Sequence, residues 1–201
     1  MARTPASQAS NGSSTLPGAT IMYLPPQCFY AFFNFQINYK YMIRHFNTTV
    51  YICNPKNKKF LFVLHKKLNK WVSPGGHIDN NENPEESALR EVKEETGLNV
   101  KLLGDRYPEE SDLIRPFGIQ LNIISTGEHE HFDLIYLATP IDSMSEVLNG
   151  KESLGIKWFS LGEITDPSFN SFEKNKKWCT YFDSFLKSGE ARKIHSAEGG
   201  V

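Results

Sequence analysis

GHIDNNENPEESALREVKEETGL, residues 76–98, holds a helix with both ends marked. Asn83 stands at the N-cap, Pro84 at the first helical position and Glu86 at the third, a start of capping-box type. Gly97 stands where a left-handed residue ends a helix. The helix is expected from Pro84 to about Thr96. Glu91, Glu94 and Glu95 then fall at i, i+3 and i+4 and share one face. Three adjacent like charges destabilise a helix unless something neutralises them. Ala88, Leu89, Val92 and Thr96 fill the neighbouring sector, which is expected to pack on a sheet. Arg90 lies four residues from both Glu86 and Glu94, placed to brace one carboxylate and leave the others free. A group of hard oxygens suits Mg²⁺ or Mn²⁺. The preceding Gly75-Gly76 turn lets the backbone approach, so a carbonyl at Gly76 can add a ligand. Such a site fits phosphoanhydride cleavage, in which a metal neutralises phosphate charge and a remaining carboxylate takes a proton from water. An isolated run of glutamates is more often a solvated helix face.

Outward from this helix the chain reads as alternating strands and turns. Phe46–Cys53 and Lys59–His65 are β-rich and flank an Asn54-Pro55 turn, which suggests a hairpin. Ser73-Pro74-Gly75-Gly76 is a breaker. Leu98–Leu103, Phe117–Ser125, His131–Ala138 and Ile156–Phe159 are expected strands, with loops over 104–115 and about 140–152. Ser171–Lys187 is an amphipathic helix with Phe172, Trp178, Phe182 and Phe185 on or near one face. The order implies a mixed sheet with one helix inserted early and another at the end.

The composition narrows the function classes. A chain of 201 residues with 39% hydrophobic content suits one domain with some added length. The net charge of −1 gives no global basic field for a long nucleic acid. No apolar run has the length of a membrane span. Cys28, Cys53 and Cys179 are odd in number and widely spaced, so free thiols in a reducing cytoplasm are expected rather than a disulfide or zinc scaffold. Residues 1–20 are rich in Ser, Ala, Gly and Pro and read as a disordered tail or a start-site artefact, with a weak likeness to a transit peptide. Residues 21–41 are crowded with aromatics. They read either as an arm packing on the domain or as sequence upstream of a start at Met42. The domain is expected over 42–190, with a flexible tail at 191–201.

The long stretch also resembles the Nudix box, Gly-x5-Glu-x7-Arg-Glu-U-x-Glu-Glu-x-Gly-U, where U is a bulky aliphatic. Gly76, Glu82, Arg90, Glu91, Val92, Glu94, Glu95, Gly97 and Leu98 meet every fixed position. Looser similarity runs from about Met42 to Ile164 and includes Trp71–Gly76 and Trp158–Leu161. The resemblance, MutT-like and of the short bacterial type with His129-x-His131-x-Asp133, implies an α/β/α sandwich. In it, the box helix and a C-terminal helix cover a mixed sheet. It implies that Glu91 and Glu95 are metal ligands and that Glu94 is a ligand or the base. Arg90 would orient the glutamates, and Glu82 would support them. The implied reaction is attack of water on a nucleoside diphosphate linked to X, with Mg²⁺ or Mn²⁺ as cofactor. Candidate substrates are nucleoside triphosphates, including 8-oxo-dGTP, and ADP-ribose-type conjugates. Homodimers are common in the family, so a homodimer is one assembly open to this chain.

Outside the box the residues say less. His129 and His131 point to one side of a strand and are open to a second metal or a phosphate, but a solvated strand start weighs more. Glu130 ranks first among acids outside the box, ahead of Glu128, Glu146 and Glu152. Lys67, with Lys66 and Lys70, is placed to meet a phosphate, although a solvated loop weighs more. Trp71 and Trp158 are able to stack a base, although core packing weighs more. Lys174, Lys176 and Lys177 read as the outer face of the last helix. The competing readings are a nucleotide-binding sensor domain, disfavoured by the intact glutamates, and an mRNA decapping enzyme, disfavoured by the balanced charge. An isopentenyl-diphosphate isomerase is disfavoured by the regular box.

Overall fold

The computed structural model describes residues 41–107, 111–141 and 153–188. The expectations for Cys28, the aromatic arm, most of the 140–152 loop and the 191–201 tail lie outside them. The central sheet joins β1 (Ile43–Ile52), β4 (Gly75–His77), β5 (Val100–Leu103), β8 (Gly118–Ser125) and β9 (His129–Pro140). β1 and β9 run parallel over ten residue pairs, from Ile43↔His129 to Ile52↔Ala138. β4 adds antiparallel to the outer edge of β1. β8 and β5 share the far edge of β9, antiparallel, one along each half. A second sheet orders β10 (Ser153–Phe159), β2 (Phe60–His65) and β3 (Lys70–Val72). β6 (Arg106–Tyr107) and β7 (Ser111–Ile114) form a small ladder.

Residue alternation along β1 and β9 explains the layers. Val50, Ile52, Tyr136 and Ala138 face one core with Ala88 and Val92 of α1 (Pro84–Thr96). Tyr51, Cys53, Ile135 and Leu137 face the other, with Cys179 and Phe182 of α3 (Glu173–Ser188). Both faces of the parallel pair are thus covered, as such strands require. The result is the expected α/β/α sandwich. Phe182 is fully buried, so truncating it to Ala would cost about 3–5 kcal/mol. No helix among the described residues is long and apolar enough to cross a membrane.

Several local expectations are corrected. The first two strands do not form a full hairpin. They touch at one antiparallel bridge, Cys53↔Phe60, and then enter different sheets, because β1 spends its length on β9. Gly75-Gly76 is not simply a breaker, since it opens β4 against Thr48 and Thr49. Residues 104–115 are not all loop, because β6 and β7 pair there. A short helix, α2 (Leu161–Thr165), follows Ser160, whose hydroxyl and Glu163 form a reciprocal capping box.

Candidate active site

The box helix starts and stops as its sequence dictates. Asn83 Oδ1 accepts the backbone N–H groups of Glu85 and Glu86 at 2.9 and 3.0 Å, and Glu86 returns a carboxylate to the Asn83 N–H at 2.9 Å. Gly97 adopts φ 73° and its N–H closes on the Lys93 carbonyl at 2.9 Å. Glu85 accepts the Ile114 N–H and pairs with Arg106, tying the first turn to β7 and β6. Ala88, Val92 and Thr96 are fully buried as expected, but Leu89 is 41% exposed. It sits one residue, or about 100°, past Ala88, which carries it beyond the sheet-facing stripe.

The three glutamates separate by depth. Glu95 is buried, the Glu91 side chain is 14% exposed and that of Glu94 is 56% exposed. Glu95 Oε2 accepts the Gly75 N–H at 3.1 Å. Glu91 lies against Gly76 so closely that a Cβ there would stand 2.3 Å from its Oε1. The two ligand candidates therefore close on the glycine turn from the helix side.

Arg90 braces more than the single carboxylate that helical spacing alone suggests. Its Nε and Nη2 grip Glu82 at 2.5 and 2.9 Å. Nη1 donates to Glu91 at 2.8 Å and to Glu94 at 3.3 Å. Nη2 also donates to the His77 carbonyl at 3.0 Å. Helical spacing alone reaches only Glu86 and Glu94, whereas the incoming loop brings Glu82 alongside. These bonds hold the Glu82 carboxyl below its usual range and push the guanidinium further up. Such planar, multidentate pairing is beyond a lysine.

The donors fit a hard divalent cation. They are carboxylate oxygens set around a glycine cradle that any side chain would fill.

A cavity of about 570 Å³ opens on the sheet face opposite α1, a size suited to a small ligand. Asn47, Thr49, Tyr51, Asp133, Phe172 and Lys174 are among its lining. Asp133 is buried and accepts a bond from the Asn122 amide. Burial raises its carboxyl above the ordinary value, against the opposing pull of Lys174, Asn122 and Thr49. Burial likewise lowers the Lys174 ammonium, while Asp133 works against that shift. Lys174 thus faces the cavity, not the outer surface expected of it. Asp133 was already legible as out of place: it falls in phase with Ile135 and Leu137, where the strand pattern asks for an apolar residue.

The remaining candidates have neighbours of their own, although His131 also lines the cavity. Glu130 pairs with Arg44 at 3.0 Å. Trp71 packs edge-on to Phe159, with ring centroids 4.9 Å apart. Lys67 is exposed in the turn between β2 and β3. His129 and His131 are not a solvated strand start. They are half-buried and meet His45 and His77. Burial first, then the neighbouring imidazoles, pushes His131 down to about 4 and lowers His77.

The NUDIX domain profile matches residues 43–180, which takes in every element described above except the end of α3. The chain belongs to the Nudix family. A Nudix-family hydrolase from Clostridium perfringens shares its fold at TM-score 0.62 and 34% identity, covering 72% of this chain and 99% of that one. The asymmetrical bis(5'-nucleosyl)-tetraphosphatase of Rattus norvegicus is 32% identical over 62% of this chain and 77% of its own. The 8-oxo-dGTP diphosphatase of Proteus vulgaris is 38% identical over 24% of this chain and 46% of its own. The chain spans about three fifths of other curated relatives it matches, 62% and 59% of their lengths.

Proposed function

We propose that this Nudix chain hydrolyses the phosphoanhydride of a nucleoside diphosphate linked to X, in the presence of Mg²⁺ or Mn²⁺. The observation that carries this is the box constellation. Glu91 and Glu95 are turned onto the Gly75-Gly76 cradle and Arg90 holds Glu82, Glu91 and Glu94 around it. Glu91, Glu95 and the Gly76 carbonyl would hold the cation, with Glu94 at its outer side. When bound, the cation supplies charge neutralisation at the phosphates and polarises phosphorus. Glu94, the most exposed of the three, takes the proton from the attacking water. The water oxygen bonds to phosphorus, the bridging P–O bond breaks, and its electron pair leaves with the departing phosphate. Products are a nucleoside monophosphate and phosphate-X, or pyrophosphate from a triphosphate.

The cavity around Asp133, Asn122 and Lys174 is assigned to the nucleoside, because it places buried polar groups beside aromatic faces. Nucleoside triphosphates, oxidised or not, and dinucleoside polyphosphates head the substrates, since relatives carry those activities in their names. We place the domain at 42–190 and the protein in the cytoplasm, with no role for a long nucleic acid or a membrane. The test is a product assay with Mg²⁺ across dNTPs, 8-oxo-dGTP, ADP-ribose, NADH and diadenosine polyphosphates, with Glu95→Gln alongside. Cleavage of one class and a folded, inactive variant support the assignment. Nucleotide binding without any cleavage makes the chain a sensor domain instead.

A further inference from the structure

Four histidines from three strands meet on one face of the central sheet, outside the carboxylate constellation. His45 lies on β1, His77 on β4, and His129 and His131 on β9. The ladder dictates the meeting: His45 pairs with His131, and His77 with Asn47 two residues along. His77 Nε2 stands 3.1 Å from His45 Nδ1, which stands 3.2 Å from His129 Nε2, which stands 2.9 Å from His131 Nε2. One candidate ligand nitrogen from each of His45, His77 and His131 lies within 4.8 Å of the others.

Hydrogen bonding alone does not satisfy this chain of contacts. Each ring nitrogen offers one in-plane proton or one lone pair, not both. The two central nitrogens, on His45 and His129, each have two close partners, so at least one bond must be shared. A single cation that accepts all the lone pairs removes the conflict. In a tetrahedral site with metal–nitrogen bonds of about 2.0–2.1 Å, neighbouring ligand nitrogens lie roughly 3.4 Å apart. The three closest separations are near that value, and small rotations of the rings widen them.

We propose that His45, His77 and His131, with His129 closing the set, bind a divalent transition ion of the zinc class. The all-imidazole donor set suits zinc, cobalt or nickel and is ill-matched to magnesium. Asn47 supplies the outer support. Its amide lies 2.9 Å from His131 Nδ1, and its Oδ1 is buried without a partner. Turned about its last bond, the amide offers that oxygen to an Nδ1–H, which leaves Nε2 free to ligate. The ion would tie β1, β4 and β9 together one residue from Gly76, beside the cavity that His131 lines. This inference does not depend on the proposed hydrolysis.

The test titrates the untagged full chain with Co²⁺ in excess Mg²⁺, followed by the visible spectrum of the ion, then displaces it with Zn²⁺. Expected are one equivalent with a four-coordinate spectrum and a higher melting temperature. His45→Gln and His131→Gln should each weaken binding at least ~10-fold, and the pair together at least ~100-fold. Glu95→Gln should leave it unchanged. Zinc-edge X-ray absorption of the unmutated protein counts the imidazole ligands should a variant fail to fold. Two results overturn the proposal: no binding tighter than millimolar, or binding lost in Glu95→Gln and kept in the histidine variants.

Discussion

Replacing Gly76 with Ala would separate the chemistry of the site from the stability of the fold. The added Cβ would stand 2.3 Å from Glu91 Oε1, 2.6 Å from its Cδ and 2.8 Å from Oε2. Ordinary contact begins at 3.4 Å, so the carboxylate must retreat by about 1 Å. The obstacle is a side-chain tip, which can swing, so the loss of stability should be no more than ~1 kcal/mol. Arg90 holds that tip at 2.8 Å, and a displacement of this size in a reacting geometry costs on the order of 100-fold in rate. Gly75→Ala is the contrast. Its Cβ would stand 2.1 Å from the Thr48 carbonyl, at φ +153°, so the obstacle is backbone and the conformation disfavours a side chain. That variant should lose ~2–4 kcal/mol of stability. Thermal melts and initial rates over a range of Mg²⁺ concentrations would separate the two. If Gly76→Ala turned over within threefold of the unmutated enzyme at limiting Mg²⁺, Glu91 would not be a ligand held by that cradle.

Arg90→Lys should cut kcat by ~10–100-fold, because an ammonium cannot bridge Glu82, Glu91 and Glu94 together. In Arg90→Ala the Glu82 carboxyl should titrate higher by NMR. Its depressed value contributes stability above the unfolded pKa that is lost as pH falls through the folded one, so the variant's melting deficit should shrink in acid. Asp133→Asn should raise the melting temperature near neutral pH. A carboxyl raised by burial favours folding in its protonated form, and that contribution is lost as pH rises through the folded value, so the gap should close toward pH ~3. The same variant should raise KM more than it lowers kcat; an unchanged KM for every nucleotide would remove Asp133 from the binding cavity.

The helix that carries the box was fully legible because its signals are local. Asn83, Pro84, Glu86 and Gly97 act within one turn of themselves, and the structure uses each of them at the expected cap. The two-faced burial of β1 and β9 was less direct, since alternation says that a residue is inside without saying which layer it enters. What escaped is set by distant pairing. The Arg90–Glu82 grip needs the loop to fold back on the helix, and the β1–β9 ladder brings His45 to His131 from 86 residues away. Lys174 escapes a sequence reading because a lysine beside Lys176 and Lys177 looks like solvent-facing helix, while its direction depends on a cavity built by β1, β8 and β9. The capping box at Ser160 and Glu163 was readable, yet it follows a strand with no loop and so hides in the strand's own ending.

The pairing of β1 with β9 also bears on how the molecule comes to exist. Its first contact closes a loop of 86 residues, which places the event among the slow, non-local steps of folding. The box helix can form long before then, but Tyr136 and Ala138, which roof its buried stripe, arrive only with β9. The four imidazoles wait on the same event. A slip of one residue in that ladder would turn Asp133 and His131 into the layer of α1 and send Tyr136 toward α3. Nascent chains that stop short of β9 should therefore carry a helix with the right charges but neither the roof of its buried stripe nor the cluster of imidazoles.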